Sequence, residues 1–248
     1  MLVHKEYKRI VDGADTAVLF IHGIVGTPNH FAPFFPLIPE NVTLYNILLD
    51  GHGKKPADFT HSSMKKWENQ VKETIDSLSE THDSIYIIAH SLGTLLSTEQ
   101  AINNPKIKAL FFISMPITVF VKPSMIPTSL SVCLGKPNPN NKSAISAANC
   151  YGIEPNTNIF LYFGWIPRFI ELLIKVKKTR KILSLLDTPC TSYQCILDEV
   201  VSPRSIKYLQ SKSSINVKVL KSSSHYYYDD NDLDTLLNDM KEFLKFQN

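Results

Sequence analysis

The chain has 248 residues, 44% of them hydrophobic and 20% charged, with a formal net charge of +3. That length suits one domain with room for an insertion, and a core large enough to need no disulfide staples. The small, dispersed charge gives no basic footprint for a nucleic acid.

Residues 2–10 read as an edge strand with a turn at Asp12-Gly13. Thr16–Ile21 is a continuous apolar run and reads as a strand buried on both faces. It runs into His22-Gly23-Ile24-Val25-Gly26-Thr27-Pro28. That is a Gly-rich loop at a strand's carboxyl end, where open α/β sheets bind ligands. A helix opening with prolines is expected over 29–38, then a strand over 42–47 and a turn-rich loop over 49–56. Residues 64–79 form an amphipathic helix with Trp67, Val71, Ile75 and Leu78 on one stripe.

The pattern centres on residues 85–103. Ile85 to Ala89 is a short apolar strand, and His90-Ser91-Leu92-Gly93 turns the chain sharply. A helix then runs from Leu92 until Asn103-Asn104-Pro105 stops it. Strand, serine turn and helix make a nucleophile elbow, which lifts a hydroxyl above the sheet at a helix N-terminus. The usual Gly-x-Ser-x-Gly reads here as Ala89-His90-Ser91-Leu92-Gly93, with small residues at both flanks. Ile107–Ile113 is the next strand. Strands alternating with helices predict an α/β fold with a mostly parallel sheet of about eight strands.

After Met115-Pro116 the alternation stops for roughly 70 residues, too many for a bare loop. We read 117–187 as an inserted helical cap, with 1–116 and 188–248 as the core. Its stretch 159–186 is apolar and then basic. Gly164, Pro167, Arg168 and Glu171 interrupt it, so it is not a transmembrane span. An apolar face over the nucleophile would make Trp165 and Phe169 substrate-binding residues; the alternative is that these aromatics pack on the core. Lys175, Lys177, Lys178, Arg180 and Lys181 form a basic rim, suited to weak contact with an anionic membrane surface or simply solvated. Sheet rhythm returns over 189–194 and again over Cys195–Val201. A helix starts at Ser202-Pro203, a last strand covers Ile215–Leu220, and a helix over Leu233–Phe246 closes the chain.

A serine hydroxyl needs an imidazole to take its proton and a carboxylate to orient that imidazole. Ser91, Asp198 and His225 each follow a predicted strand, so a parallel sheet gathers them at one edge. Glu199 competes with Asp198 for the acid role. His22 and His52 are expected to hold Gly-rich loops by hydrogen bonds. His90 is expected to point elsewhere, and His4, His30, His61 and His82 to lie off the site. Backbone N–H groups of Ile24 and Leu92 are the oxyanion donors, and their side chains are expected to line an acyl pocket. MLVHKEYKRIV lacks the apolar stretch of a signal peptide, and Cys133, Cys150, Cys190 and Cys195 form no close pair. We read them as reduced thiols in a cytosolic protein, with no metal and no cofactor.

Leu19 to Thr27 resembles the His-Gly loop of bacterial carboxylesterases and monoacylglycerol-lipase-like α/β-hydrolases. Asp50-Gly51-His52-Gly53 resembles their Gly-His-Gly segment. Asp198-Glu199-Val200-Val201 resembles their Asp-x-x-Val acid turn. Ser223-Ser224-His225 resembles their Ser-Gly-His, with Ser224 in place of Gly. The similarity covers about residues 16–115 and 189–246. It implies an α/β-hydrolase fold, a Ser-Asp-His triad and an ester or acylglycerol substrate. The expectation is cofactor-free hydrolysis of short- or medium-chain carboxylic esters or monoacylglycerols. Two alternatives stay open. One is a proline-iminopeptidase-like aminopeptidase, using Glu154 or Glu171 to hold a free amino terminus. The other is a non-catalytic hydrolase-fold protein that binds a ligand or partner.

Overall fold

Seven strands build a single sheet in the computed structural model of the protein, which describes residues 4–247. They are β1 (Tyr7–Arg9), β2 (Thr16–Ile21), β3 (Thr43–Ile47), β4 (Ser84–His90), β5 (Ile107–Ile113), β6 (Cys190–Cys195) and β7 (Ile215–Leu220). Their order is β1-β3-β2-β4-β5-β6-β7. Only β1 runs antiparallel to its neighbour, and every other pairing is parallel. About eight strands were expected. The difference lies at Cys195–Val201, where the chain leaves the sheet after Cys195 and only Val201 pairs again, in an isolated bridge to Val119. The edge strand expected over 2–10 is Tyr7–Arg9, and residues 2 and 3 lie outside the described residues.

The helices are α1 (Pro56–Thr60), α2 (Met64–Thr81), α3 (Leu92–Ala101), α4 (Met125–Cys133), α5 (Lys142–Asn149), α6 (Ile166–Ile182), α7 (Arg204–Gln210) and α8 (Asp230–Phe243). The helix expected over 29–38 is a 3-10 helix, Pro28–Leu37. Pro33 and Pro36 inside it lack the N–H that an α-helical ladder needs there. α8 begins before Leu233 because the Asp229 side chain accepts from Asn231 N–H and caps it;.

Strand residues alternate between two apolar layers. Leu19, Ile21, Ile85 and Ile87 pack with α2, α3 and α6. Val18, Phe20, Tyr86 and Ile88 pack with α8 and the 3-10 segment on the other side. Burial on both faces explains why these strands are unbroken apolar runs.

The insertion between β5 and β6 carries α4, α5, a 3-10 turn (Ile159–Trp165) and α6. α6 is fastened to the core. Lys175 is 2% exposed, and its ammonium sits 2.9 Å from Glu68 and against Glu99. Arg168 donates to Thr60 O and pairs with Glu171, which also accepts Met64 N–H at 2.9 Å. Two members of the expected basic rim therefore turn toward the protein. Lys175 is buried in its ion pairs, and Arg180 donates to Ile117 O beside the Tyr208 ring. Among the described residues no helix is long and apolar enough to cross a membrane.

Candidate active site

The chain leaves β4 through Ser91, at φ 50° and ψ −119°. A side chain in that region carries steric strain that the surroundings must hold. Ser91 N–H donates to Ile113 O at 3.0 Å, and Thr94 N–H donates to Ser91 O at 3.0 Å. Gly93 lets the helix start this close to the sheet, since a Cβ there would lie 2.1 Å from Ile21 O. The serine thus stands at the N-terminus of α3, where the helix dipole favours negative charge.

The loop after β2 lies directly on this serine. A Cβ at Gly23 would come within 3.0 Å of Ser91 Cβ and 3.1 Å of His90 Nδ1. Two residues on, Val25 has φ 49°. Its carbonyl accepts Gly152 N–H at 2.8 Å, and Glu154 N–H donates to Lys54 O at 2.9 Å. The Gly152–Glu154 strap from the insertion thus lies between the His22–Pro28 loop and the loop after β3. It fits only because residue 152 has no side chain; a Cβ would sit 1.8 Å from Gly26 O. Backbone N–H groups of Ile24 and Leu92 have no protein acceptor among the described residues. Free amides beside a nucleophile are what an oxyanion needs.

Hydrogen bonds fix the tautomers of the loop histidines. His22 Nδ1–H donates to Gly23 O at 2.8 Å, and its Nε2 accepts Leu49 N–H at 3.1 Å. His52 Nδ1–H donates to Leu49 O at 3.1 Å. Both therefore hold their loops. Burial, and then the neighbouring His52, holds His22 well below the ordinary imidazole range. Burial lowers His52 to about 4.

Asp198 and His225 meet beyond the ends of β6 and β7. Asp198 Oδ2 lies 2.8 Å from His225 Nδ1, and both side chains are buried. Oδ1 accepts Val200 N–H and Val201 N–H, each at 2.7 Å. Burial pushes the Asp198 carboxyl up, but the His225 charge and hydrogen bond, with those two amides, outweigh it and hold the group below its usual value. Glu199 instead accepts the His225 backbone N–H at 3.2 Å. Of the two neighbouring acids, one holds the ring and the other its main chain. In the neutral ring, an Nδ1–H given to the carboxylate leaves Nε2 with the lone pair that a general base requires.

His90 and His30 depart from expectation. His90 does not point away: its Nε2–H donates to His225 O at 3.0 Å, and the two rings are 4.7 Å apart. His30 lies on the other side of His90, with ring centroids 4.1 Å apart. Its nitrogens meet Tyr228 Oη at 2.8 Å and Cys150 Sγ at 3.2 Å. Burial, reinforced by His225, lowers His30 to about 3. Burial, with the His30 and His225 rings, keeps His90 well below the usual range. These neutral rings pack in sequence beside the His225 ring. No predicted strand end places His30 here, which is why the sequence sets it off the site; the 3-10 helix Pro28–Leu37 carries it in. Among the described residues no hydrogen bond joins Ser91 Oγ to the His225 ring, and such bonds are often long before substrate binds.

Trp165 packs against α1, and Phe169 lies on α6. Trp165 is buried, its indole N–H donates to Pro56 O at 3.0 Å, and its ring meets Phe59 at 4.8 Å. Phe169 is 41% exposed on α6. No hydrogen bond or ring contact ties either to Ser91, Asp198 or His225 among the described residues.

A mostly parallel sheet with a serine elbow, a Gly-rich loop on that serine and an Asp–His pair beyond later strands defines the α/β-hydrolase class. The match to the alpha/beta hydrolase family spans residues 18–236. The chain belongs to that family. A solved structure from work on LipS and LipT, two metagenome-derived lipolytic enzymes, superposes with TM-score 0.74 at 19% identity, covering 99% of this chain and 98% of that one. Est1E from Butyrivibrio proteoclasticus, solved with ferulic acid bound, gives 0.65 at 19%, covering 98% and 94%. The Paleococcus ferrophilus monoacylglycerol lipase gives 0.70 at 15%, covering 98% of each. At these identities the likeness is one of fold. No curated protein matches the sequence.

Proposed function

We propose that this protein is a serine hydrolase of carboxylic esters, with short- or medium-chain acyl esters or monoacylglycerols as substrates. The observation that carries the reading is the buried 2.8 Å Asp198–His225 contact, on the same sheet edge as the strained Ser91. In this reading His225 Nε2 takes the Ser91 proton as Oγ attacks the ester carbonyl. The carbonyl π electrons move onto oxygen, and the Ile24 and Leu92 amides stabilise that oxyanion. Collapse expels the alcohol, protonated by His225, and leaves an acyl-Ser91. Water, deprotonated by the same ring, attacks the acyl carbon, and the acid leaves as Ser91 regains its proton.

The insertion, 117–187, acts here as a cap on a core of 1–116 and 188–248, and the Ile24 and Leu92 side chains border the acyl group. Trp165 and Phe169 are left out of this assignment, because one ring packs against Phe59 and the other is partly exposed. The aminopeptidase alternative loses one of its two acidic candidates, since Glu171 is committed to Arg168 and Met64 N–H. A fluorophosphonate should label Ser91 on peptide mapping. A panel of nitrophenyl esters should be cleaved faster than aminoacyl anilides. An adduct elsewhere, with Ser91→Ala fully active, would overturn the assignment. An unlabelled, inactive protein would leave the ligand-binding alternative.

A further inference from the structure

α6 presents two apolar stripes. The inner one, with Leu172 and Val176, is buried around Lys175. The outer one consists of Ile166, Phe169, Ile170, Leu173 and Ile174, each at least 41% exposed. These positions recur at i, i+3, i+4, i+7 and i+8, the spacing a helix normally turns toward a core. The 3-10 turn before it adds Ile159, Phe160 at 73% and Phe163 at 62% exposed. Soluble monomers usually scatter such residues singly. The stripe has no easy way inward. Rotating α6 to bury it would expose Leu172 and Val176 and break the Lys175 pairs with Glu68 and Glu99.

Charge indicates what covers it. The same outer spacing continues as Lys177, Lys178 and Lys181, all exposed. Lys65 of α2 borders the same groove as Ile174 and Lys178. None of these four lysines joins an ion pair among the described residues, whereas the nearby acids do: Glu171 with Arg168, and Glu68 and Glu99 with Lys175. A second copy seated on this stripe would bury the lysines without carboxylates to receive them. A bilayer accepts both parts, with apolar side chains among the acyl chains and ammonium groups at the phosphates. The first of these lysines lies about 16 Å along the axis from Ile166 at ~1.5 Å per residue. The amino-terminal end of α6 can thus dip ~5–10 Å below the headgroups while the lysines stay among them.

We propose that the outer face of the 3-10 turn and α6 docks the protein on an anionic phospholipid bilayer. Docking does not depend on the ester chemistry. The test is flotation of the full chain with vesicles of phosphatidylcholine containing about a third phosphatidylglycerol. At low salt most of the protein should float. Pure phosphatidylcholine, or roughly 0.5 M salt, should weaken binding several-fold through loss of the lysine attraction. Phe160→Ser combined with Phe163→Ser and Ile170→Ser should lower partitioning at least ~10-fold through lost apolar burial. Lys177→Glu with Lys178→Glu should do the same on anionic vesicles. Both variants should keep the wild-type circular dichroism and rate on a soluble ester. Ser91→Ala should float like wild type, so loss of the esterase reading leaves this one standing. Wild type that stays unbound at low salt, or a triple-serine variant that floats as well, would overturn the proposal. So would light scattering that shows a dimer which the serine variant dissolves, since the stripe would then be a self-interface.

Discussion

Mild acid should destabilise this fold through its buried histidines before carboxylates contribute. His22, His30, His52 and His90 are all buried, and burial is the leading cause holding each below the ordinary imidazole value. For His30 the folded value is about 3, and for His52 about 4. In the unfolded chain each ring takes a proton near ~6.5. A folded value below the unfolded one means that the stability is fully present above ~6.5 and is lost as pH falls toward the folded value. At about pH 5 His30 and His52 are still neutral in the fold but protonated when unfolded, which costs ~2 kcal/mol each and ~4 kcal/mol together. His22 and His90 act in the same direction. Asp198, also lowered, keeps its contribution above its unfolded value and loses it only as pH falls further, below this window;. Against a total stability of ~5–15 kcal/mol, a loss of ~4 kcal/mol is a large share. It corresponds to ~8–16 °C in Tm for a chain of this size. Thermal and urea midpoints measured in steps from about pH 8 to about pH 5 would check it. His30→Gln should flatten the profile by removing one titrating ring, whatever it costs at high pH. A Tm constant to ~2 °C across the range would refute the reasoning.

Under the proposed mechanism, Asp198→Asn should lower kcat on a nitrophenyl ester by ~10⁴, as loss of the orienting carboxylate does in Ser-His-Asp triads, and Glu199→Gln should stay within ~10-fold because its amide oxygen can still accept the His225 N–H. Gly152→Ala should lower stability by ~2–4 kcal/mol in urea unfolding, since its Cβ meets Gly26 O and the strap must shift;. Gly13→Ala, where a Cβ meets nothing, should cost only ~1–2 kcal/mol from its positive φ;. Lys175→Ala should cost ~2 kcal/mol by leaving Glu68 and Glu99 unpaired, against at most ~0.5 kcal/mol for the exposed Lys177→Ala;.

Much of the scaffold was legible along the chain. β2, β5 and β7 fall where the apolar runs Thr16–Ile21, Ile107–Ile113 and Ile215–Leu220 put them. The turn at Ser91 follows from a buried strand that meets a helix across small residues. That Ser91, Asp198 and His225 reach one edge follows from the parallel sheet, which puts successive carboxyl ends on the same side. Each of these features is local: a period of two or 3.6 residues, or a turn chemistry, says which face is apolar and where the chain reverses. Which partner a face meets is not local. Asp198 and Glu199 are adjacent, and only the closed structure gives one to the His225 ring and the other to its amide. His90 finds the His225 carbonyl across 135 positions, and His30 finds Tyr228 across 198. Lys175 looked like one more surface lysine until Glu68, 107 positions away, and Glu99 closed on it. The outer stripe of α6 has the same helical period as a core-facing one, so the sequence alone does not distinguish them. Only the packing of α2 and α3 against the opposite side leaves that stripe facing outward.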